Sequence, residues 1–355
     1  MDTHSNTEKL IKDMQSLADQ HGVLLDTEQL HIGGERAVMS PHKYVLTGHT
    51  VNDNTRVVFK CAKHKSGVAE MKAEHTIRNG LADMPFAEQD LLLPKELFFG
   101  LTDGSTISIT EFIEQTKVMF DYSLAEQFFM VLQGLEAQES FHATTREHRN
   151  QVTGLFPTFS PQKYIQTFKE FSHNVTTEIP NLTELLSEAK LALETNTNIL
   201  NTFDGYLMHS DFVPHNFRIK KKQLVLLDSS SFHFGNKYES WARLINFMEI
   251  HNPKLVPLLL NYIRNDRGEN EYKDLQLMRI YKIGFLLNFY VNSLAKTDGN
   301  FHELTKVRIT FWTATLKAVL SDTPVNMKDH ITYVTSRDRL RTNTEKKRQR
   351  EFTHA

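Results

Sequence analysis

His209-Ser210-Asp211-Phe212-Val213-Pro214-His215-Asn216 is the stretch on which the reading of this chain turns. It runs into Phe217-Arg218-Ile219, a polar break at Lys220-Lys221-Lys222-Gln223, and an apolar run, Leu224-Val225-Leu226-Leu227, that ends at Asp228. Two short apolar runs around a basic, turn-like interruption predict a β-hairpin. A hairpin returns its outer ends to one place. Asp211 and Asn216, on the loop before its first strand, would therefore converge with Asp228 at the end of its second. Asp and Asn offer hard oxygen ligands, which suit Mg²⁺; that ion takes a few ligands from protein and the rest from phosphates and water. A plain reading of the same residues is a loop with an Asx-turn and a proline break.

The pattern H-x-D-x-x-P-x-N, met at His209, Asp211, Pro214 and Asn216, resembles the core of the kinase-like small-molecule phosphotransferases, the aminoglycoside phosphotransferase and choline kinase group. Its Asp-to-Asn interval is that of the protein-kinase catalytic loop, H-R-D-x-x-x-x-N. The resemblance implies an α+β, bilobal protein-kinase-like fold, with a small β-rich N-lobe carrying one main helix and a larger, mostly helical C-lobe. It implies ATP- and Mg²⁺-dependent transfer of a phosphoryl group to a hydroxyl of an aminoglycoside-, choline- or sugar-like molecule. By position, Asp211 would be the catalytic base, Asn216 and Asp228 would hold Mg²⁺, and His209 would brace the loop from behind. The domains expected are a lead-in over 1–40, an N-lobe over 41–115, a C-lobe over 116–335 and a basic tail over 336–355.

Composition sets outer bounds. A chain of 355 residues is too long for one compact core and suggests two lobes. A content of 40% hydrophobic and 24% charged residues is that of a soluble globular protein. The formal net charge of −2 gives no general attraction to nucleic acid or an anionic membrane. The one cysteine, Cys61, excludes an intramolecular disulfide and favours a reducing cytoplasm. No apolar run has the length of a membrane span, and the first residues lack the order of a signal peptide.

Along the chain, Leu10, Ile11, Met14, Leu17 and Ala18 fall at helical spacing and predict a helix over 8–21, with Thr7 as N-cap. Val23-Leu24-Leu25 and Leu30-His31-Ile32 read as short strands with Gly33-Gly34 as a turn. Tyr44–His49 and Arg56–Lys60 read as two strands around Asn52-Asp53-Asn54, with His42-Lys43 as a solvated edge. A helix follows from Gly67 to Leu81. It offers Glu70 and Glu74 one turn apart on one face. Asp103-Gly104 is a hairpin turn signal. Ser123 is a fitting N-cap for a helix to His142. The segment 143–160 has no period. Helices are expected over 161–175, 181–203, 239–251, 254–264, 272–295 and 301–320.

The resemblance adds roles here. It implies that Lys60, closing its strand, grips nucleotide phosphates and pairs with Glu74. It implies that Thr110-Glu111-Phe112-Ile113-Glu114 is the hinge between lobes, where the backbone of Glu111 and Ile113 meets the nucleotide base. Glu239 is the candidate to brace the catalytic loop. The resemblance spans roughly Tyr44 to Ile250, and only His209 to Asp228 is specific. The chain departs from the family pattern at Ser210 and His215, where glycine is common. It departs again at Ser229-Ser230, where an aromatic and an acidic residue are usual, and at the nucleotide-covering loop, where Gly48 stands alone. These departures keep a nucleotide-binding pseudokinase or a protein-interaction module as the alternative.

An aminoglycoside or choline acceptor would call for an acidic pocket; Glu170, Glu178, Glu184, Glu188 and Glu194 in the inserted helices are the acids on offer. No membrane partner is expected. Nucleic acid enters only through the basic run Arg337 to Arg350, read as a solvated or disordered tail.

Overall fold

A computed structural model describes residues 3–29, 35, 42–82, 91–114, 119–142, 149–150, 152, 154–220 and 223–352. The chain builds a small sheet lobe followed by a larger helical lobe. The first lobe opens with helix α1 (Thr3–Asp19) and β1 (Val23–Leu25). Strands β2 (Tyr44–Thr50) and β3 (Arg56–Ala62), helix α2 (Lys65–Ala82), β4 (Leu91–Leu92), β5 (Glu96–Thr102) and β6 (Ser105–Glu111) complete it. Five strands form one antiparallel sheet in the order β1-β2-β3-β6-β5. The sheet has two unlike faces because side chains alternate along each strand. Leu46, Val57, Phe59, Cys61, Ile107 and Ile109 point to one face and pack with Met14, Leu17 and Ala18 of α1. The opposite positions, Lys43, Val45 and Thr47 with Val58 and Lys60, face the space between the lobes. The Asp103-Gly104 turn has positive φ at both residues, 48° and 74°, as the tightest hairpin turn requires.

The second lobe begins with a single 3₁₀ turn at Met119–Asp121 and helices α3 (Leu124–Ala137) and α4 (Glu139–His142). Ser123 caps α3 as expected: its hydroxyl accepts from the Glu126 backbone, and the Glu126 side chain answers in a capping box. Then come α5 (Pro161–Glu178), a turn at Pro180–Leu182, α6 (Thr183–Thr195) and α7 (Thr197–Thr202). Strands β7 (Tyr206–His209), β8 (Phe217–Lys220), β9 (Gln223–Leu226) and β10 (Phe232–Gly235) carry the quoted stretch. Helices α8 (Glu239–His251), α9 (Leu255–Tyr262), a π turn (Ile263–Arg267), α10 (Glu269–Leu294), α11 (Gly299–Leu320), α12 (Met327–Leu340) and α13 (Asn343–Phe352) finish the chain. The long α10 packs against α5, α8 and α11. Its fully buried Leu275, Met278, Ile283 and Leu287 each contribute about 1.5–3 kcal/mol by leaving water.

Several sequence expectations are corrected. The first helix starts at Thr3, so Thr7 lies inside it rather than capping it. Lys43 is not a solvated edge but a buried group, 7% exposed. The helix expected to run to His142 breaks at Gln138 into α3 and α4, and that over 181–203 breaks at Asn196. The basic end of the chain is helical through α12 and α13 rather than a loose tail. The strand and turn expected at 30–34 lie outside the described residues. No described helix is long and apolar enough to cross a membrane.

Candidate active site

The site grows from the crossing of two small strand pairs. β7 pairs antiparallel with β10, matching His209 with Phe232. β8 and β9 form the expected hairpin, with Phe217 opposite Leu226, and β9 also pairs in parallel with β4 of the small lobe. The loop from Ser210 to Asn216 is slung between the two pairs. Its ends are tied: the Ser210 backbone donates to the Ser231 carbonyl at 2.9 Å, and Leu227 donates to the Asn216 carbonyl at 2.7 Å. The buried His209 donates from Nε2 to the Asp228 carbonyl at 2.8 Å. That bond joins the start of the loop to the end of the hairpin.

Asp211, Asn216 and Asp228 therefore come together. The Asn216 amide donates from Nδ2 to Asp211 Oδ2 at 3.0 Å and to the Asp211 carbonyl at 2.9 Å. Its Oδ1 has no hydrogen bond among the described residues and remains available to a cation. Asp228 accepts the Ser230 backbone and hydroxyl on Oδ1, at 2.8 and 2.7 Å, and has no hydrogen bond to Oδ2 among the described residues. Among the described residues no cluster of three or more His, Cys, Asp or Glu is placed to hold a metal. One carboxylate oxygen and one amide oxygen fit Mg²⁺, which completes its shell with phosphates and water; they would not hold zinc.

Two lysines face Asp228. Lys60 pairs with Glu74 of α2, as the resemblance implied. Arg78 also donates to Glu74 at 3.0 Å and to Glu96 at 2.5 Å. Lys43 pairs with Glu70. The two glutamates that the sequence left in competition therefore each take one lysine. Burial alone would push the Asp228 carboxyl up, but Lys43, Lys60 and Ser230 outweigh it and hold the group well below the usual carboxylate range. Burial likewise opposes the Lys43 charge, while Asp228, Glu74 and Glu70 raise its pKa. Ser229, in place of the usual aromatic, donates its hydroxyl to the Glu74 carbonyl at 3.0 Å. Ser229 thus ties the segment after Asp228 to α2.

Lys43, Lys60, Asn216 and Asp228 line a cleft of about 450 Å³ between the lobes. Glu111, Phe112 and Ile113 form part of its wall. The Glu111 carboxylate is engaged with the Lys95 backbone at 2.9 Å. His215 also lines this cleft.

Asp211 faces a second cavity of about 640 Å³. Two cations that the sequence reading missed attend it. Arg243 of α8 donates from Nε to Asp211 Oδ1 at 2.8 Å. Lys282 of α10 donates to the Ser210 carbonyl at 2.7 Å and to Glu239 at 3.0 Å. Burial would raise the Asp211 pKa; Arg243 foremost, then His209 and Lys282, brings it below its ordinary value. Glu239 accepts as well from Tyr164 at 2.5 Å and His233 at 3.0 Å. It reaches the loop through Lys282. The signal for Arg243 lay one helical turn beyond Glu239, since i and i+4 share a face.

No family model matches this sequence, and a search by sequence among curated proteins finds no relative. Solved structures do match. The chain superposes on aminoglycoside 2'-phosphotransferase-IIIa in its GDP complex with a TM-score of 0.61 at 14% identity, covering 86% of this chain and 99% of that one. Aminoglycoside phosphotransferase APH(4)-Ia, in a ternary complex with ADP and hygromycin B, gives 0.59 at 14% identity, covering 87% and 98%. The macrolide 2'-phosphotransferase MphH from Brachybacterium faecium gives 0.57 at 13% identity, covering 84% and 97%. The bilobal architecture is that of the kinase-like phosphotransferases. This chain shares its fold with phosphotransferases of aminoglycosides and macrolides.

Proposed function

We propose that this protein transfers the terminal phosphoryl group of ATP, with Mg²⁺, to a hydroxyl of a small molecule. One observation carries the reading. Asp211, Asn216 and Asp228 meet where the inter-lobe cleft adjoins the second cavity, with Lys60 and Lys43 facing Asp228. The adenine would lie against Glu111 to Ile113. Lys60 and Lys43 would offset charge on the phosphates, each held in place by a glutamate. Asn216 Oδ1 and Asp228 Oδ2 would hold Mg²⁺, which would supply positive charge to offset that of the phosphates.

Asp211 would orient the acceptor hydroxyl for in-line attack. Its carboxylate, lowered by Arg243, is a weak base, so it takes the proton late, as the phosphoryl group transfers. Such catalysis is mostly positioning and electrostatics. His209 and Lys282 fix the loop from either side and move no proton.

The test is Asp211→Asn. Transfer from γ-labelled ATP to an acceptor panel, and the slow acceptor-free transfer to water, should fall by about 10²–10⁴-fold. Mg·ATP binding by calorimetry should persist. Undiminished transfer in a folded variant would remove Asp211 from the role.

A further inference from the structure

The second cavity does not suit a polycation. The glutamates that the sequence offered for such a pocket, Glu170, Glu178, Glu184, Glu188 and Glu194, are all exposed on α5 and α6, and none lines it. Its two carboxylates are already matched, Asp211 by Arg243 and Glu239 by Lys282 and His233. Among the described residues, no further acidic side chain in its wall is left to meet an ammonium group.

Aromatic rings make up much of the remaining wall, beside the hydroxyls of Thr167, Ser210, Ser230 and Ser231. Phe159, Phe171, Tyr281, Phe285, Phe289 and Tyr290 surround the approach to Asp211. Phe285 and Phe289 remain 41% and 37% exposed, one turn apart on α10, where a bound molecule would cover them. The face of Phe285 already carries the Lys282 ammonium, 5.3 Å from the ring centre. That occupancy weakens its use as a cage for a second cation. Arg243 commits only Nε to a hydrogen bond among the described residues, leaving its terminal amines for an acceptor oxygen or anion. The volume, about 640 Å³, lies mid-range for small-molecule sites.

We infer that the acceptor carries its hydroxyl on an apolar, ring-bearing body and is neutral or anionic, not a polycationic sugar. The inference rests on the phosphotransferase reading above and narrows it. Anilinonaphthalene sulfonate, an anionic aromatic probe, tests the pocket in the full-length protein. Its fluorescence should report saturable binding. Phe285→Glu with Phe289→Glu should weaken that binding by about tenfold to a hundredfold, the effect of setting charge in an apolar wall. Leu258→Glu, an equally exposed apolar site on α9, should leave it unchanged. Naphthyl glucosides should displace the probe and accept phosphate faster than hygromycin B.

Equal probe binding in the Phe285/Phe289 variant, or preferred transfer to hygromycin B, would overturn the inference. Mg·ATP titration of the same preparations keeps two failures apart. Loss of nucleotide binding refutes the transferase reading itself. Intact nucleotide binding with failed probe results refutes only the acceptor class.

Discussion

At the scale of single residues, the site is a set of charges that only make sense in pairs. Glu239 shows why. Burial would favour its protonated form, but Lys282, then His233 and Tyr164, bring its pKa from 4.5 to about 2. A carboxyl lowered on folding stabilises the native state fully above its unfolded pKa, near 4.5. That contribution is lost as the pH falls from there towards 2. Thermal midpoints measured across that window should decline, and Glu239→Gln should decline less. The same variant should lose about 3–5 kcal/mol at neutral pH, because it leaves the buried Lys282 without its counter-charge. A neutral-pH stability equal to that of the parent would show that Lys282 does not depend on this carboxylate.

At the scale of elements, the hairpin was legible because its two apolar runs and polar break have no other economical reading. The converging oxygens followed from it. Lys60 and Glu74 were reached through the family likeness, and the structure pairs them. What the local pattern hid lies across gaps in sequence. Lys282 meets the Ser210 carbonyl 72 residues away, and no local spacing encodes that. Lys43 was legible in principle: counted in twos with Val45 and Thr47, it falls on the cleft face of β2. The lone Gly48 was read against an expected phosphate-covering loop. It instead sits in β2 where an added Cβ would lie 2.5 Å from the Leu24 carbonyl oxygen. Sheet packing accounts for it.

Gly67 is the comparable point on α2. A Cβ there would lie 2.2 Å from the backbone oxygen of His42, the neighbour of Lys43. Gly67→Ala should push that backbone away and cost about 1–3 kcal/mol. It should also weaken Mg·ATP binding through Lys43. Unchanged unfolding and binding curves would mean that the approach is relieved without moving the lysine.

At the scale of the molecule, the lobes are also joined far from the segment that links them in sequence. Glu35, in the small lobe's lead-in, accepts from Arg308 of α11 at 2.8 Å and from Arg341, beyond α12, at 3.0 Å. Its own backbone donates to Glu345 of α13 at 2.9 Å, and Lys347 of that helix lines the inter-lobe cleft. Burial would raise the Glu35 pKa; the two arginines bring it to about 2. Glu35→Gln should cost about 3–5 kcal/mol, since two guanidinium groups lose their shared counter-charge. Urea unfolding would measure this, and a loss within error of zero would show that the lobes do not rely on the clamp.

That clamp also has a bearing on synthesis. Glu35 emerges from the ribosome 306 residues before Arg341, a delay on the order of 15–60 s at ordinary elongation rates. The small lobe must wait that long, half-fastened, for the last helices to arrive. A nascent chain halted short of them would present its inter-lobe cleft without this latch.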